Sequence, residues 1–536
     1  MNNSLSVQSQ LPIGISVFKD LRELNQIYVD KTDLIYDLAK DYAFYFLSRP
    51  RRFGKSLLIS TIESLFRDGT KYFKGLAIAD KWQDENYPVI HLDFSACRMF
   101  KDFAEFRCSF EDLLFSACND AGFVLPQIGR RGVRTISNAF NEMLKKSNRR
   151  AVLLVDEYDA PLNSCLHDQA LFEQVKQELF SFYDCLKRNS SRFRFMFITG
   201  ICRYKNLGIF SGMNFMTDIS LHPRFGTLLG YTDEELRKYF KAYIELASSQ
   251  LQMSFEECLE AMKLHYDGYC FDRKASTHVF TPWSVLNFLR DPQQGFENYW
   301  YDSAGRPTVL LNYIKSHSLR DPRAYGQNQV ISSDEIDSSQ QLDDLGDISL
   351  LVQAGYLTIK SMEPGGGVLT LNYPNKEVSR SMSRLYIEEL FGKNIDTVIK
   401  TSSLGLFTKY EPQEIVNRLN ILFKSVDYAR YPIKDEAVLR SFLQIYLIGG
   451  GITGVEIEKH NAFGRSDLEF KAGNKYFVIE LKYARAGEDA QKLLDKAKAQ
   501  IMEKHYGECA ELELQHIHMA LIFSETQRQF EAWECF

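Results

Sequence analysis

Four short apolar runs occur in the N-terminal part of the chain, and segments with helical periodicity separate them. The runs cover residues 43–48, 88–94, 151–156 and 193–199, and the helical patterns include 102–118 and 169–187. Continuous apolar runs of this length are typical of buried parallel strands. Their alternation with helices predicts an α/β domain with a parallel sheet and helices on both faces.

A basic loop follows the first apolar run and leads into a helix-like segment at residues 57–62. Its Gly-Lys-Ser sequence is typical of a phosphate-binding loop, whose lysine contacts the β- and γ-phosphates and whose serine hydroxyl ligates Mg²⁺. Arg49 occupies a position where the general loop has glycine. The alternative is an ordinary helix N-terminus. The residues expected at the nucleotide are Arg51, Arg52, Gly54, Lys55 and Ser56.

Two carboxylates lie at the end of the apolar run 151–156. Asp156 is its last residue, and Glu157 follows directly. We expect Asp156 to hold Mg²⁺ through water and Glu157 to polarise the attacking water. The run at 193–199 ends in Thr199. In NTPases with an extra strand between the loop strand and the acidic strand, a polar residue there contacts the γ-phosphate or the water. A solvated acidic turn and a plain strand-end threonine are the alternatives.

The middle of the chain carries helix signals and one hairpin signal. Thr232 and Glu235 have the spacing of a capping box, and Thr281-Pro282 indicates another helix start. Residues 302–339 are polar and predicted to be rich in loops. A helix at 346–354, a strand at 355–359, a glycine turn at 364–367 and a strand at 369–371 predict a winged-helix-like connector. An ordinary helix and hairpin is the alternative.

A second group of charged residues lies on a predicted hairpin near the C-terminus. Strand-like segments at 464–470 and 476–482 flank a turn with Gly473 and Asn474. A two-residue turn would place Asp467 opposite Glu480, and strand alternation puts Glu480 and Lys482 on one face. Two carboxylates suit Mg²⁺ or Mn²⁺, and the lysine can orient or deprotonate the attacking water.

Helices flank this hairpin and extend the pattern. The helix before it carries Glu436, a candidate outer metal ligand, and the helix after it carries Gln500. An acidic helix, an Asp strand, a Glu-x-Lys strand and a late Gln predict a nuclease core. An amphipathic hairpin with solvated charges is the alternative.

Composition narrows the class of protein. The 536 residues are 45% hydrophobic and carry a net charge of −6, so no global positive charge attracts nucleic acid. Ten cysteines without a C-x-x-C pair indicate reduced thiols and a cytoplasmic protein. No secretory signal or membrane span is predicted.

Taken together, these motifs resemble the bacterial AAA-ATPase-like family that carries a C-terminal PD-(D/E)XK nuclease-superfamily domain. Further segments carry the likeness, at residues 11–15, 28–32, 49–56, 155–159, 210–214, 266–269, 374–375, 464–467 and 480–482. The loop with Arg49 agrees with the usual sequence of that family.

The resemblance implies an ATP-binding P-loop domain over 1–230, a helical and winged-helix-like connector over 231–400, and a restriction-endonuclease-like α/β domain over 401–536. It implies an ATPase coupled to a metal-dependent nuclease acting on nucleic acid. We expect DNA in preference to RNA, and defence or mobile-DNA processing is the hypothesis for the setting. The alternative is a signalling or scaffold ATPase whose nuclease-like domain only binds nucleic acid or protein. A homo-oligomer is compatible with either.

Overall fold

The structure is a computed structural model that describes residues 10–129, 135–203, 215–300, 321–337, 347–391, 403–508 and 513–536. The chain divides into two compact units. The first comprises Met1–Ser316 and Gln329–Glu377, and the second comprises His317–Asn328 and Val378–Phe536. The family-like segment at 210–214 lies outside the described residues.

A five-stranded parallel sheet forms the centre of the first unit. Its strands are β1 (Ala43–Ser48), β2 (Val89–Asp93), β3 (Ala151–Asp156), β4 (Phe193–Gly200) and β5 (Thr217–Asp218), in the order β2-β3-β4-β1-β5. Every neighbouring pair is parallel. The four predicted strands are confirmed, and β4 lies between the loop strand β1 and the acidic strand β3.

Helices cover this sheet because their apolar faces pack on its buried strands. The helices of the first unit are Phe18–Glu23, Thr32–Ala39, Lys55–Asp68, Phe103–Asp120, Ile136–Lys146, Ala160–Ser164, Gln169–Arg188, Asp233–Tyr239, Lys241–Gln250, Phe255–Tyr266, Pro282–Arg290, Ser333–Asp337 and Asp347–Ala354. Short 3-10 turns occur at Phe94–Cys97, Ser190–Arg192, Pro223–Phe225 and Pro292–Gln294. The capping box of Thr232 and Glu235 is confirmed.

A small antiparallel sheet also belongs to the first unit. It has the order β6-β8-β7, with β6 at Gln329–Ser332, β7 at Thr358–Met362 and β8 at Val368–Asn372. The predicted helix and two-stranded hairpin are present, and the glycine turn joins β7 to β8. The first strand begins at Thr358 and not at residue 355 as predicted, because Gly355, with φ 87°, lies in the turn after the helix. Strand β6 was not predicted, because it lies in the polar stretch that the sequence analysis assigned to loops.

The second unit contains a mixed five-stranded sheet in the order β13-β12-β11-β10-β9. The strands are β9 (Glu456–His460), β10 (Arg465–Ala472), β11 (Lys475–Ala484), β12 (Gln515–Ser524) and β13 (Gln529–Cys535). Only the β11–β12 pair is parallel, and the helix Ala490–Glu503 connects those two strands. A buried helix face of Leu494, Ala497 and Ile501 packs on this sheet.

The other helices of the second unit precede β9 in the chain. They are Lys376–Phe391, which enters this unit at Val378, and Ser403–Lys409, Pro412–Lys424 and Glu436–Gly449, with a 3-10 turn at Pro322–Ala324. Among the helices of the described ranges, none combines the length and the apolar character needed to cross a membrane.

Candidate functional site

Polar residues from the ends of β3 and β4 meet a serine in the first turn of the helix that follows β1. Ser56 Oγ donates a hydrogen bond to Asp156 Oδ2 at 2.6 Å, and Thr199 Oγ1 donates to Asp156 Oδ1 at 2.6 Å. The contact forms because the carboxyl ends of parallel strands meet at one edge of the sheet. One carboxylate is therefore held between the hydroxyl groups of Ser56 and Thr199.

The phosphate loop ends in a left-handed glycine that begins a helix. Gly54 has φ 92° and occupies the N-cap of Lys55–Asp68, and no side chain of the described residues caps this helix. The first amide groups of a helix lack partners inside it, so they can bind an anion. Lys55 Nζ donates to the carbonyl oxygens of Arg49 and Pro50 at 3.0 Å each. Burial lowers the pKa of Lys55 to about 8.

A cavity of about 510 Å³ opens beside this helix N-terminus. Its polar wall includes Arg51, Arg52, Lys55, Ser56 and Glu157. Its apolar wall comes from other segments of the same unit, namely Ile13, Ile15, Tyr28, Leu228, Tyr231 and Trp283. A pocket of this size, with one charged wall and one apolar and aromatic wall, suits a small molecule that carries phosphates and a planar ring.

The arginines of the loop have different surroundings. Arg52 adopts φ 70°, and its guanidinium lies 4.2 Å from the ring centre of Trp283. Burial, with a smaller effect of the positive charge of Arg51, lowers the pKa of Arg52. Arg51 and Arg52 both line the cavity. Their contact with a phosphate stays a prediction.

Arg49, which replaces the glycine of the general phosphate loop, has a structural role. Its side chain is 1% exposed and donates to the carbonyl oxygens of Ser48, Ser220 and Phe225. The guanidinium also lies 4.2 Å from the ring centre of Phe271. Arg49 thus ties the loop to the segment that follows β5. Sequence reasoning recognised only the missing glycine, since these partners lie far away in sequence.

Glu157 is held by an arginine that the sequence analysis did not identify. It adopts φ 51°, and its carboxylate pairs with Arg98, which follows the 3-10 turn after β2. Asp159 is a structural carboxylate, because it accepts hydrogen bonds from the amides of Ile201 and Cys202. Of these two carboxylates, Glu157 alone lines the cavity.

In the second unit, the predicted hairpin is confirmed in its register. Gly473 and Asn474 form the turn, because Ala472 pairs with Lys475 and Leu468 pairs with Ile479. Continuation of this register places Asp467 opposite Glu480. The amide of Leu481 donates to Asp467 Oδ2 at 2.8 Å, which links the two strands at this point.

Glu480 has one satisfied and one unsatisfied carboxylate oxygen. Lys482 Nζ donates to Glu480 Oε1 at 2.6 Å and to the Leu481 carbonyl at 3.1 Å. Among the described residues, Glu480 Oε2 has no hydrogen-bond partner, although the side chain is 1% exposed. Burial, followed by the charge of Asp467, raises the pKa of Glu480 against the opposing effect of Lys482. A buried acceptor without a partner fits a cation ligand.

Both oxygens of Asp467 have partners. Arg440 Nη1 donates to Asp467 Oδ1 at 2.9 Å, and Arg440 Nη2 donates to Glu458 Oε1 at 2.6 Å. Within the described ranges, no three histidine, cysteine, aspartate or glutamate side chains form a ready metal cage. The carboxylates here that could hold a divalent cation are Glu480, through its Oε2, and Asp467. Arg440 and Glu458 were not found from the sequence, because neither belongs to a local motif.

The remaining predicted residues lie at different distances from this pair. Glu436 accepts a hydrogen bond from the Tyr483 amide at 3.3 Å, and its charge contributes to the raised pKa of Glu480. Gln500 donates to the Tyr506 hydroxyl at 3.3 Å, and that hydroxyl accepts from the Arg465 amide at 3.2 Å. The structure thus places Glu436 beside the carboxylate pair and Gln500 beside the start of β10.

Comparisons with known proteins match both ends of the chain. Residues 12–210 match the family model described as a predicted AAA-ATPase, and residues 434–533 match the model of the PD-(D/E)XK nuclease superfamily. A relative from Azotobacter chroococcum mcd 1, described as an uncharacterized protein in the vnfD 5' region, is 27% identical over 508 residues, which cover 92% of this chain and 93% of the relative. The chain therefore combines an AAA-ATPase-like domain with a domain of the PD-(D/E)XK nuclease superfamily.

Proposed function

We propose that this protein hydrolyses ATP in its first unit and cleaves nucleic acid in a metal-dependent reaction in its second unit. The observation that carries the ATPase proposal is the convergence of Ser56, which lines the cavity, and Thr199 on Asp156. The domain matches support the combination. DNA is the proposed nucleic acid, and defence or mobile-DNA processing in the bacterial cytoplasm is the proposed setting.

The residues of the first site have separate roles in this proposal. The amides at the start of Lys55–Asp68 bind the phosphates, and Lys55 leaves the carbonyls of its own loop to contact the β- and γ-phosphates. Ser56 and Asp156 would hold Mg²⁺, which neutralises charge on the phosphate oxygens. Glu157 orients the attacking water and accepts its proton, and Thr199 contacts the γ-phosphate or that water.

The residues of the second site would hold Mg²⁺ or Mn²⁺ through Asp467 and Glu480, with Glu436 as an outer ligand. A divalent cation there would polarise the phosphodiester and stabilise charge on its oxygens. Lys482 lies against Glu480, where its ammonium can orient the attacking water or, once it has lost a proton, its amine can deprotonate that water. Gln500 is proposed to position the strand that carries Asp467. The division at 1–230, 231–400 and 401–536 is part of the same proposal.

Nucleotide binding is tested by calorimetry with ATP and Mg²⁺. Lys55→Ala removes a charge-assisted contact, so the affinity should fall by about 1.5–3 kcal/mol, or roughly tenfold to a hundredfold. Lys81→Ala is the matched control, because Lys81 is an exposed lysine of the same unit that pairs with Asp33. Equal ATP affinity in the wild type and Lys55→Ala would refute the proposed site.

Hydrolysis is tested separately from binding. Glu157→Gln keeps the shape of the side chain but removes its negative charge, so the variant should bind ATP and lose turnover. Phosphate release measures turnover, and calorimetry measures the retained affinity. Wild-type turnover in Glu157→Gln would show that another group activates the water.

Cleavage is tested with plasmid, linear and single-stranded substrates in Mg²⁺ and Mn²⁺, with and without ATP. Asp467→Ala should abolish cleavage and leave ATP hydrolysis largely intact, whereas Asp495→Ala, an exposed carboxylate of the same unit, should change neither. If no substrate is cut above the Asp467→Ala background, the nuclease proposal fails. The alternative of a domain that only binds nucleic acid or protein then gains support, because Arg440 already neutralises Asp467.

A further inference from the structure

A guanidinium group bridges two carboxylates at the second site. Arg440 lies one turn after Glu436 on the helix Glu436–Gly449, and its side chain is largely buried. Its two terminal nitrogens contact Asp467 and Glu458 separately, at 2.9 Å and 2.6 Å. Arg440 is therefore the cation that compensates Asp467 in this arrangement.

The strand register places Glu458 where it can bind Arg440 together with Asp467. Glu458 lies on β9, and the pairing of Ser466 with Lys459 and of Leu468 with Ile457 places it opposite Asp467. Its backbone adopts φ 49°, which is unfavourable for a residue with a side chain. The backbone of β9 is thus strained at the residue whose carboxylate pairs with Arg440. The other oxygen of Glu458 lies 3.2 Å from Arg465 Nη1.

A divalent cation and Arg440 would compete for the same carboxylate. Asp467 Oδ2 accepts from the Leu481 amide and Oδ1 accepts from Arg440, so a metal bound at Oδ1 would lie against the guanidinium. Two positive groups on one carboxylate oxygen repel each other strongly where water is largely excluded. Glu458 offers Arg440 an anchor that does not depend on Asp467.

We propose that Arg440 competes with the divalent metal for Asp467 and, once the metal displaces it, binds a phosphate of the nucleic acid while Glu458 keeps its other end in place. This inference rests on the proposed nuclease function. A guanidinium suits the role, because its planar set of donors binds a carboxylate and a phosphate equally well. Metal binding and substrate binding are then linked, since the metal releases the phosphate-binding group.

The first test measures Mn²⁺ binding to the full-length protein by calorimetry, without nucleic acid. Arg440→Ala removes the competing cation, so its Mn²⁺ affinity should rise about tenfold, which corresponds to about 1.4 kcal/mol. A residue that only orients Asp467 would give the opposite sign. Arg465→Ala is the matched control, because Arg465 contacts Glu458 and is more exposed. Its Mn²⁺ affinity should equal that of the wild type.

The second test measures binding to a DNA duplex in Ca²⁺ as a function of salt. Arg440→Ala should weaken binding and reduce the slope of log K against log salt by about one, because one phosphate contact is lost. Arg440→Lys keeps the positive charge but lacks the planar pair of guanidinium donors. Its Mn²⁺ affinity and its DNA affinity should therefore lie between those of the wild type and Arg440→Ala. It also replaces Arg440→Ala if thermal unfolding shows that the alanine variant is not folded.

The outcomes separate this inference from the function on which it rests. Mn²⁺ affinity that is unchanged or lower in Arg440→Ala and Arg440→Lys, in a protein that cleaves nucleic acid, overturns the competing role alone. The absence of Mn²⁺ binding in the wild type and in both variants overturns the metal site and this inference together.

Discussion

Arg49 and Lys55 are both buried at the phosphate loop, but their side chains have different partners. Arg49 donates to three carbonyl groups and stacks against Phe271, so its guanidinium is bound by groups of the protein itself. Lys55 donates to two carbonyl groups of its own loop, and these bonds can be exchanged for phosphate oxygens. The difference predicts that Arg49 contributes to stability and Lys55 to binding.

Arg49→Ala should lower the free energy of unfolding of the first unit by about 3 kcal/mol, because buried carbonyl oxygens lose their donor and a cavity remains. Urea denaturation followed by tryptophan fluorescence measures the change. Arg188→Ala, which removes an exposed helix pair with Asp184, should change it by less than about 0.5 kcal/mol. Similar stabilities for the two variants would contradict the structural role of Arg49.

The lowered pKa of Lys55 predicts that nucleotide affinity depends on pH. Burial brings the pKa to about 8 in the free protein, and bound phosphate favours the charged amine. Above that pKa the free protein must first take up a proton, so ATP affinity should fall about tenfold between about pH 7 and about pH 9.

Calorimetry at several pH values measures this dependence, and buffers with different ionisation enthalpies report the proton uptake. Lys55→Arg is the control, because a guanidinium remains charged throughout this range and should give a flat profile. A wild-type affinity that is constant over the same range would contradict the lowered pKa.

At the scale of elements, the sequence predicted the N-terminal strands whose burial leaves a continuous apolar run, but the similar run in β12 was missed. Strands β1 to β4 were found within one residue at each end, because both faces of a parallel sheet are covered. Strand β5 has two residues and β6 lies in a polar segment, so neither leaves a readable pattern. The predicted extra strand is confirmed by the place of β4 in the sheet order.

Site residues were predictable where one element carries them in a fixed spacing. The Gly-Lys-Ser loop, the Asp-Glu strand end and the Glu-x-Lys strand each form a local pattern. The ion pairs of Arg98 with Glu157 and of Arg440 with Asp467 join residues that are distant in sequence. No single sequence records such pairs, because a charged residue on a helix or loop usually faces solvent.

The end of β4 is packed so closely that it admits only glycine. A Cβ atom at Gly200 would lie 2.5 Å from the ring of Tyr158 and 2.6 Å from Asp159 Oδ1. Gly200→Ala should therefore shift the end of β4, separate Thr199 from Asp156 and weaken ATP binding as well as stability.

Calorimetry with ATP and urea denaturation measure the two effects of Gly200→Ala. Gly226→Ala is the matched control in the same unit, because the nearest atom to its added Cβ would be Asp272 Cβ at 3.3 Å. That variant should retain ATP binding. Full ATP affinity in Gly200→Ala would show that the strand end tolerates movement without loss of the site.

At the scale of the whole molecule, the chain crosses between its two units more than once. His317–Asn328 belongs to the second unit, whereas the following segment, Gln329–Glu377, belongs to the first. Hydrophobic periodicity predicts elements but not which distant elements share a core. The assignment of His317–Asn328 to the second unit was therefore not predicted. The three-part division made from the sequence stays a prediction.

The placement of the two sites in different units predicts separate ligand effects on unfolding. A ligand that binds only the folded form raises its stability by about 2.7 kcal/mol at a hundred times its Kd. In calorimetric scans, ATP with Mg²⁺ should raise the unfolding temperature of the first unit beyond the effect of Mg²⁺ alone, and Mn²⁺ without nucleotide should raise that of the second.

Single-site variants assign these shifts to the two units. Lys55→Ala should remove the ATP shift and keep the Mn²⁺ shift, whereas Asp467→Ala should do the reverse, because each changes a side chain in a different unit. If either variant removed both shifts, the two sites would be coupled energetically. The protein would then have to be treated as one cooperative unit in which nucleotide occupancy and metal occupancy influence each other.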